Sequence, residues 1–152
     1  MEVVKREAFK IVGIKVRTTN ENGKSAQDIG QLWEKFMSEK IGDKIPNKIN
    51  DAIFSIYTNY EKDHTKPYDT ILGCQVSSLN DIPNGMVGQE FENENYAKYI
   101  SKGNLSEGAV YQSWTKIWNT DLERKYSADF EIYGEKAQNP LHAEVEIFVA
   151  IK

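Results

Sequence analysis

Glu131 stands in Asp129-Phe130-Glu131-Ile132-Tyr133, a run of strand-forming residues that places a carboxylate two positions before a phenol. Alternate residues of a strand share a face, so Phe130 and Ile132 point one way while Glu131 and Tyr133 point the other. The same local pattern occurs earlier as Ile53-Phe54-Ser55-Ile56-Tyr57, with a neutral serine at the position matching Glu131. With the Phe130 face packed on a helix, the opposite face would offer an acid and a phenol to a groove. Tyr57, Tyr60, Tyr68, Tyr99, Tyr133 and Phe148 all lie on or beside segments that read as strands. A strand glutamate is commonly just exposed, but one enclosed by rings loses its hydration, at a cost of several kcal/mol unless it is paired. A bound cation would offset that cost, with cation–π contacts adding ~0.5–2 kcal/mol.

Other chemistries find no support. His142-Ala143-Glu144 matches half of a zinc deaminase signature, but the Pro-Cys-x-x-Cys half is missing and the chain has a single cysteine. No Walker or dinucleotide glycine fingerprint is present, nor a Gly-x-Ser-x-Gly elbow. No metal and no cofactor are therefore expected. Cys74, in Ile71-Leu72-Gly73-Cys74-Gln75-Val76, reads as a buried inert thiol. His64 and His142 fall in loop segments and read as solvated. Glu146 lies on the same strand face as Glu144 and reads as an exposed charge.

A net charge of −4 argues against a nucleic-acid surface, which needs clustered Lys and Arg. Lys15-Val16-Arg17 and Arg124-Lys125 are the nearest approach to a patch, and both read as solvated faces. Eight Tyr, six Phe and three Trp in an acidic chain suit flat apolar or cationic small molecules instead. No stretch approaches the ~20 apolar residues of a membrane span. The N-terminus has no apolar h-region, so the cytoplasm is the expected location.

The elements that must position these residues repeat. Residues 9–17 read as a first strand, and a helix capped by Ser25 carries Ile29, Leu32, Trp33 and Phe36 at helical spacing. Strands follow at about 53–60 and 69–77, joined by the polar stretch Glu61 to Pro67. Asp81-Ile82-Pro83-Asn84-Gly85 marks a turn, and 86–92 reads as a bridging strand. The order then recurs: a strand at 96–102, a helix capped by Ser106 with Val110, Tyr111, Trp114, Ile117 and Trp118, and strands at about 128–135 and 144–151. Leu32-Trp33-Glu34-Lys35-Phe36 aligns with Ser113-Trp114-Thr115-Lys116-Ile117. Residues 1–152 therefore read as a single domain of two β-α-β-β units, about 3–78 and 86–152. Helix tryptophans at 3–4 spacing usually belong to the core, and Trp33 is read so. Trp114 and Trp118 would need a wide apolar stripe to be buried together, which favours Trp114 as the one that reaches a groove.

The chain resembles the GyrI-like effector-binding domain superfamily, found also as the ligand-sensing part of AraC-type regulators. The resemblance rests on Ile53-Phe54-Ser55-Ile56-Tyr57, Gly73-Cys74-Gln75-Val76, Ile82-Pro83-Asn84-Gly85, Tyr96-Ala97-Lys98-Tyr99, Trp114-Thr115-Lys116-Ile117-Trp118, Asp129-Phe130-Glu131-Ile132-Tyr133 and the closing Glu144 to Ile151, in order. It implies an antiparallel α+β fold of two pseudo-symmetric units, with two helices on one side of the sheet and a ligand groove on the other. It also implies a central glutamate, Glu131, that recognises lipophilic cations. The ligand-binding residues then expected are Glu131, Tyr57, Trp114, Tyr133, Phe148, Tyr99 and Tyr68. A stand-alone small-molecule binding protein is the leading expectation, a sensor or sequestering protein, with a separate regulator protein as partner and no direct contact with nucleic acid or membrane. In the alternative, Glu131 activates water and Tyr133 or Tyr57 donates a proton in a hydrolase of reactive compounds; a third reading is an inhibitor module that docks on a larger enzyme.

Overall fold

The structure, a computed structural model, describes residues 1–152. Its strands are β1 (Glu2–Arg6), β2 (Phe9–Thr18), β3 (Ile53–Thr58), β4 (Tyr68–Val76), β5 (Val87–Phe91), β6 (Glu94–Gly103), β7 (Ala128–Tyr133) and β8 (Ala143–Ala150), with helices α1 (Lys24–Ser38) and α2 (Ala109–Trp118). All pairings are antiparallel, and the strands form one eight-stranded sheet in the order β1-β6-β8-β7-β3-β4-β2-β5.

That order is symmetric about the β7–β3 junction: reading outward, β3-β4-β2 on one side mirrors β7-β8-β6 on the other. The two β-α-β-β units are thus joined along their third elements. Each unit also captures the other's leading strand, since β1 pairs with β6 and β5 with β2. β1 went unread because Glu2-Val3-Val4-Lys5-Arg6 is a short, charged edge strand, the form that sheets use to discourage further pairing.

The two faces of the sheet solve burial differently. On one, α1 covers Val12, Ile14, Leu72, Cys74 and Val76 through Leu32 and Phe36, and α2 covers Ala97, Ile147 and Val149 through Trp114 and Ile117. On the other, Phe9, Phe54, Tyr96, Phe130 and Phe148 pack on one another without any helix. Three strand spacings separate β2 from β7, ~14 Å in a flat sheet, yet the rings of Phe9 and Phe130 meet at 5.2 Å between centroids. The sheet is therefore curled into a trough that closes on its own aromatic residues. Gly13 and Gly73 sit opposite each other on that inner face. A Cβ on Gly13 would collide with the Leu72 carbonyl, and one on Gly73 with the Val12 carbonyl, so this tight approach requires glycine.

Neither helix uses its expected serine cap. Gly23 precedes α1 and Gly108 precedes α2, each at positive φ (69° and 81°), while Ser106 lies in a preceding turn where its N–H is bound by the Asn104 side chain. No helix is long and apolar enough to cross a membrane.

Candidate ligand-binding site

The register of the central strands decides the site. β3 and β7 pair with Ser55 directly opposite Glu131 and Tyr57 opposite Asp129, and β7 and β8 pair with Glu131 opposite Ile147. Partners directly across a ladder share a face. Glu131 therefore lies on the face of Ile147, which α2 covers, and not on an opposite, helix-free side. The expected arrangement, helices on one side and groove on the other, is corrected accordingly. The groove opens between the two helices, with β3, β4 and β7 as its floor.

Glu131 is only 2% exposed. Its Oε2 accepts hydrogen bonds from the Trp114 indole N–H at 2.6 Å and the Tyr57 hydroxyl at 2.7 Å, and its Oε1 accepts one from the Tyr133 hydroxyl at 2.5 Å. The Ser55 hydroxyl donates in turn to the Tyr57 oxygen at 3.2 Å. No Lys, Arg or His forms an ion pair with it. Burial pushes its carboxyl pKa above the usual glutamate range, against the three donors, which pull it down. Beside the carboxylate, burial and the adjacent charge push the Tyr57 and Tyr133 phenols well above their ordinary value.

A cavity of about 260 Å3 opens over this carboxylate. Tyr57 and Tyr68 line it from the first unit's strands, Tyr60 from the β3–β4 connection, Ile29 and Trp33 from α1, and Val110, Tyr111, Trp114 and Trp118 from α2, with Tyr133 beside Glu131. Trp114 stands edge-on to Tyr57 at 5.7 Å and 89°, and Trp33 edge-on to Tyr133 at 4.9 Å and 77°, the geometry that aromatic quadrupoles favour. The Tyr68 hydroxyl donates to Asn20 Oδ1 at 2.6 Å.

Of the expected residues, Glu131, Tyr57, Tyr68, Trp114 and Tyr133 meet around this cavity. Phe148 does not: it pairs across the sheet with Phe130, stacks on it at 4.8 Å, and belongs to the trough on the opposite face. Tyr99 shares the helix-covered face but packs under α2 near Ala97 and Ile147, outside the cavity. Trp33, read as core, is a half-buried wall of the groove.

Three contributors were missed or misread. His64, expected to be solvated, lines the cavity, its ring parallel to Trp118 at 5.9 Å and its Nδ1 3.2 Å from the Tyr126 hydroxyl. Desolvation and the nearby Arg124 charge lower its pKa, so it favours the neutral form. Arg124, expected on a solvated face, is buried over the Tyr126 ring at 4.3 Å and donates to Asp129 Oδ2 at 2.7 Å. Asp129 also accepts from the Tyr60 hydroxyl at 2.6 Å and from the Ala150 amide at 2.8 Å. Burial raises its carboxyl pKa against the pull of Arg124 and of these donors. The signal for Asp129 was available, because strand alternation puts it on the face of Glu131. Arg124, in the loop before β7, gave none.

A curled antiparallel sheet of two joined β-α-β-β units, with a buried glutamate at the floor of a ring-lined groove between the helices, defines the class: a GyrI-like effector-binding domain. Within it, the chain belongs to the Cass2 family, described as integron-associated effector binding protein, whose pattern matches residues 2–151. It is 30% identical over 124 residues to YobU of Bacillus subtilis, a transcriptional regulator by name only, covering 80% of this chain and 76% of YobU. To the transcriptional regulator BrlR of Pseudomonas aeruginosa it is 27% identical across 98% of its own length, which spans about half, 54%, of BrlR. An integron cassette protein from the mobile metagenome of Vibrio cholerae has a similar structure, with TM-score 0.75 and 27% identity over 99% of this chain and 95% of that one. SAV2435, solved bound to tetraphenylphosphonium, shares the fold with TM-score 0.82 at 17% identity, over 99% and 93% of the respective chains.

Proposed function

We propose that this protein binds lipophilic, aromatic cations in the cavity over Glu131, and that ligand binding serves sensing or transcription regulation through a separate partner protein. One observation carries the reading: Glu131 is buried among rings, has three neutral donors and no basic partner. Its neighbour Asp129, equally buried, is neutralised by Arg124. The protein thus keeps one acid internally paired and leaves the other for a charge brought from outside. A positive ligand over Glu131 would regain the Coulomb energy that burial withholds, and the faces of Tyr57, Tyr68 and Trp114 would supply cation–π attraction. The tetraphenylphosphonium bound to SAV2435 is a ligand of this chemistry on the same fold, and the names that YobU and BrlR carry favour the regulatory role.

The test is a titration of tetraphenylphosphonium and rhodamine followed by tryptophan fluorescence, comparing the native chain with Glu131→Gln. Saturable quenching lost in the variant is expected. Equal affinity in both proteins removes Glu131 from recognition and overturns the proposal.

A further inference from the structure

The groove does not end at the cavity over Glu131. On the far side of Trp33, Val110 and Tyr133 lies a second hollow of about 1040 Å3, and those three residues line both. The second hollow is the counterpart of the first under the internal symmetry. The first is bounded by the β3–β4 connection, the start of α1 and the end of α2; the second by the β7–β8 connection, the later part of α1 at Met37 and the start of α2. Glu131, at the junction of the units, lines the first alone. The chambers differ in lining. Where the first has Tyr60, His64 and Tyr68, the second has Ala137, Ile53 and Met37, a mainly apolar lining with few rings that Asn50, Asp51, Glu135 and Gln138 interrupt. Ligand pockets commonly measure ~300–1,000 Å3, and the first chamber, at about 260 Å3, lies below that range by itself.

We propose that the two chambers form one site for elongated amphipathic cations, the charged aromatic head over Glu131 in the first and a flexible apolar tail passing Trp33 into the second. This rests on the cation-binding reading above and specifies its ligand class. The partition is Val110 with two rings: that of Tyr133, tethered to Glu131 through its hydroxyl, and that of Trp33 edge-on against it. A cation that takes over Oε1 releases the Tyr133 tether, so binding of the head frees the passage for the tail. Met37, 60% exposed on α1, and Ala137 line only the second chamber.

The experiment is calorimetric titration with N-alkylquinolinium salts from methyl to dodecyl, each below its micelle concentration, against the native chain, Glu131→Gln, Met37→Lys and Ala137→Trp. Affinity is expected to rise about threefold to fourfold per methylene until the second chamber is filled. Met37→Lys and Ala137→Trp should then weaken the octyl compound at least tenfold and leave N-methylquinolinium unchanged. An affinity independent of chain length, with the methyl compound still dependent on Glu131, overturns the two-chamber site and leaves the cation reading standing. So does a chain-length gain that both second-chamber variants retain, since the tail then lies elsewhere. Absence of binding by every member, or equal binding by Glu131→Gln, overturns both.

Discussion

The two halves of the chain place different residues at matching points of the same face: Ile53, Ser55 and Tyr57 on β3, Asp129, Glu131 and Tyr133 on β7. The tyrosines are equivalent in use as well as in position. Tyr57 and Tyr133 approach Glu131 from opposite sides, and each is met edge-on by the tryptophan of the other unit's helix, Trp114 and Trp33 respectively. What breaks the symmetry is charge. The first half puts an apolar residue and a hydroxyl where the second puts two buried acids, and the two acids are treated differently. Asp129 has a permanent cation, whereas Glu131 has only neutral donors. A scaffold built twice has thus kept the aromatic frame in both copies and placed a structural acid and an unpaired one in a single copy.

Removing the structural acid should have the largest effect. Asp129→Ala strips Arg124 of its counter-charge while the guanidinium stays buried, and also orphans the Ala150 amide. A loss of about 3–5 kcal/mol in urea unfolding is expected. A loss below about 1 kcal/mol would mean that Arg124 escapes to solvent and that the contrast between the acids is smaller than drawn.

Glu131→Gln should do the opposite, sparing the fold and damaging recognition. Glutamine keeps the shape and one acceptor oxygen for Trp114 and Tyr57, so stability at neutral pH should hold or rise, while affinity for tetraphenylphosphonium falls at least tenfold, about 1.4 kcal/mol or more. The pH dependence carries the same contrast. The unfolded chain releases the Glu131 proton near ~4.3, but the folded chain holds it to higher pH because burial raises the pKa. The protonated carboxyl thus contributes stability that is full below the unfolded value and is lost as pH rises through the folded one. The urea midpoint of the native chain minus that of Glu131→Gln should therefore fall as pH rises above ~4.3, the unfolded value. Parallel curves would show that the three donors cancel the burial.

How far these contrasts were legible in the letters depends on which were local. The Phe-x-Ile-Tyr strands, the helical spacing of Leu32, Trp33 and Phe36, and the turn at Pro83-Asn84-Gly85 are local patterns, and the β-α-β-β order followed from them. Alternation along β7 also separated Glu131 from Phe130 correctly. It could not say which face the helices cover, because both faces of an antiparallel strand here are apolar enough to be buried. Phe148 was misplaced for a related reason: its register against β7 is a property of two strands paired across the sheet, which no local pattern reveals. Arg124 and His64 lie in loops, where burial is decided by distant partners such as Asp129 and Trp118. A helix tryptophan such as Trp33 has the same spacing whether it fills a core or walls a groove.

Making the same substitution in both copies tests the symmetry most closely, through a difference between two variants that is small beside the loss of Asp129. Trp114→Phe keeps a ring against Tyr57 but deletes the indole N–H that donates to Glu131. A hydrogen bond to a charged group is worth about 1.5–3 kcal/mol, and losing it should also raise the Glu131 pKa further, since that donor holds it down. Trp33→Phe keeps a ring against Tyr133 and deletes an N–H that makes no such bond, so it should cost less than about 1 kcal/mol, from lost ring area alone. Unfolding of the two variants side by side reads the difference, and cation affinity as a function of pH reads its cause. In Trp114→Phe the rise of affinity that follows Glu131 ionisation should move to higher pH, and in Trp33→Phe it should stay where the native chain has it. Equal costs and equal pH profiles would mean that the two tryptophans are interchangeable packing, and that the asymmetry of the site resides in the carboxylate alone rather than in the helix above it.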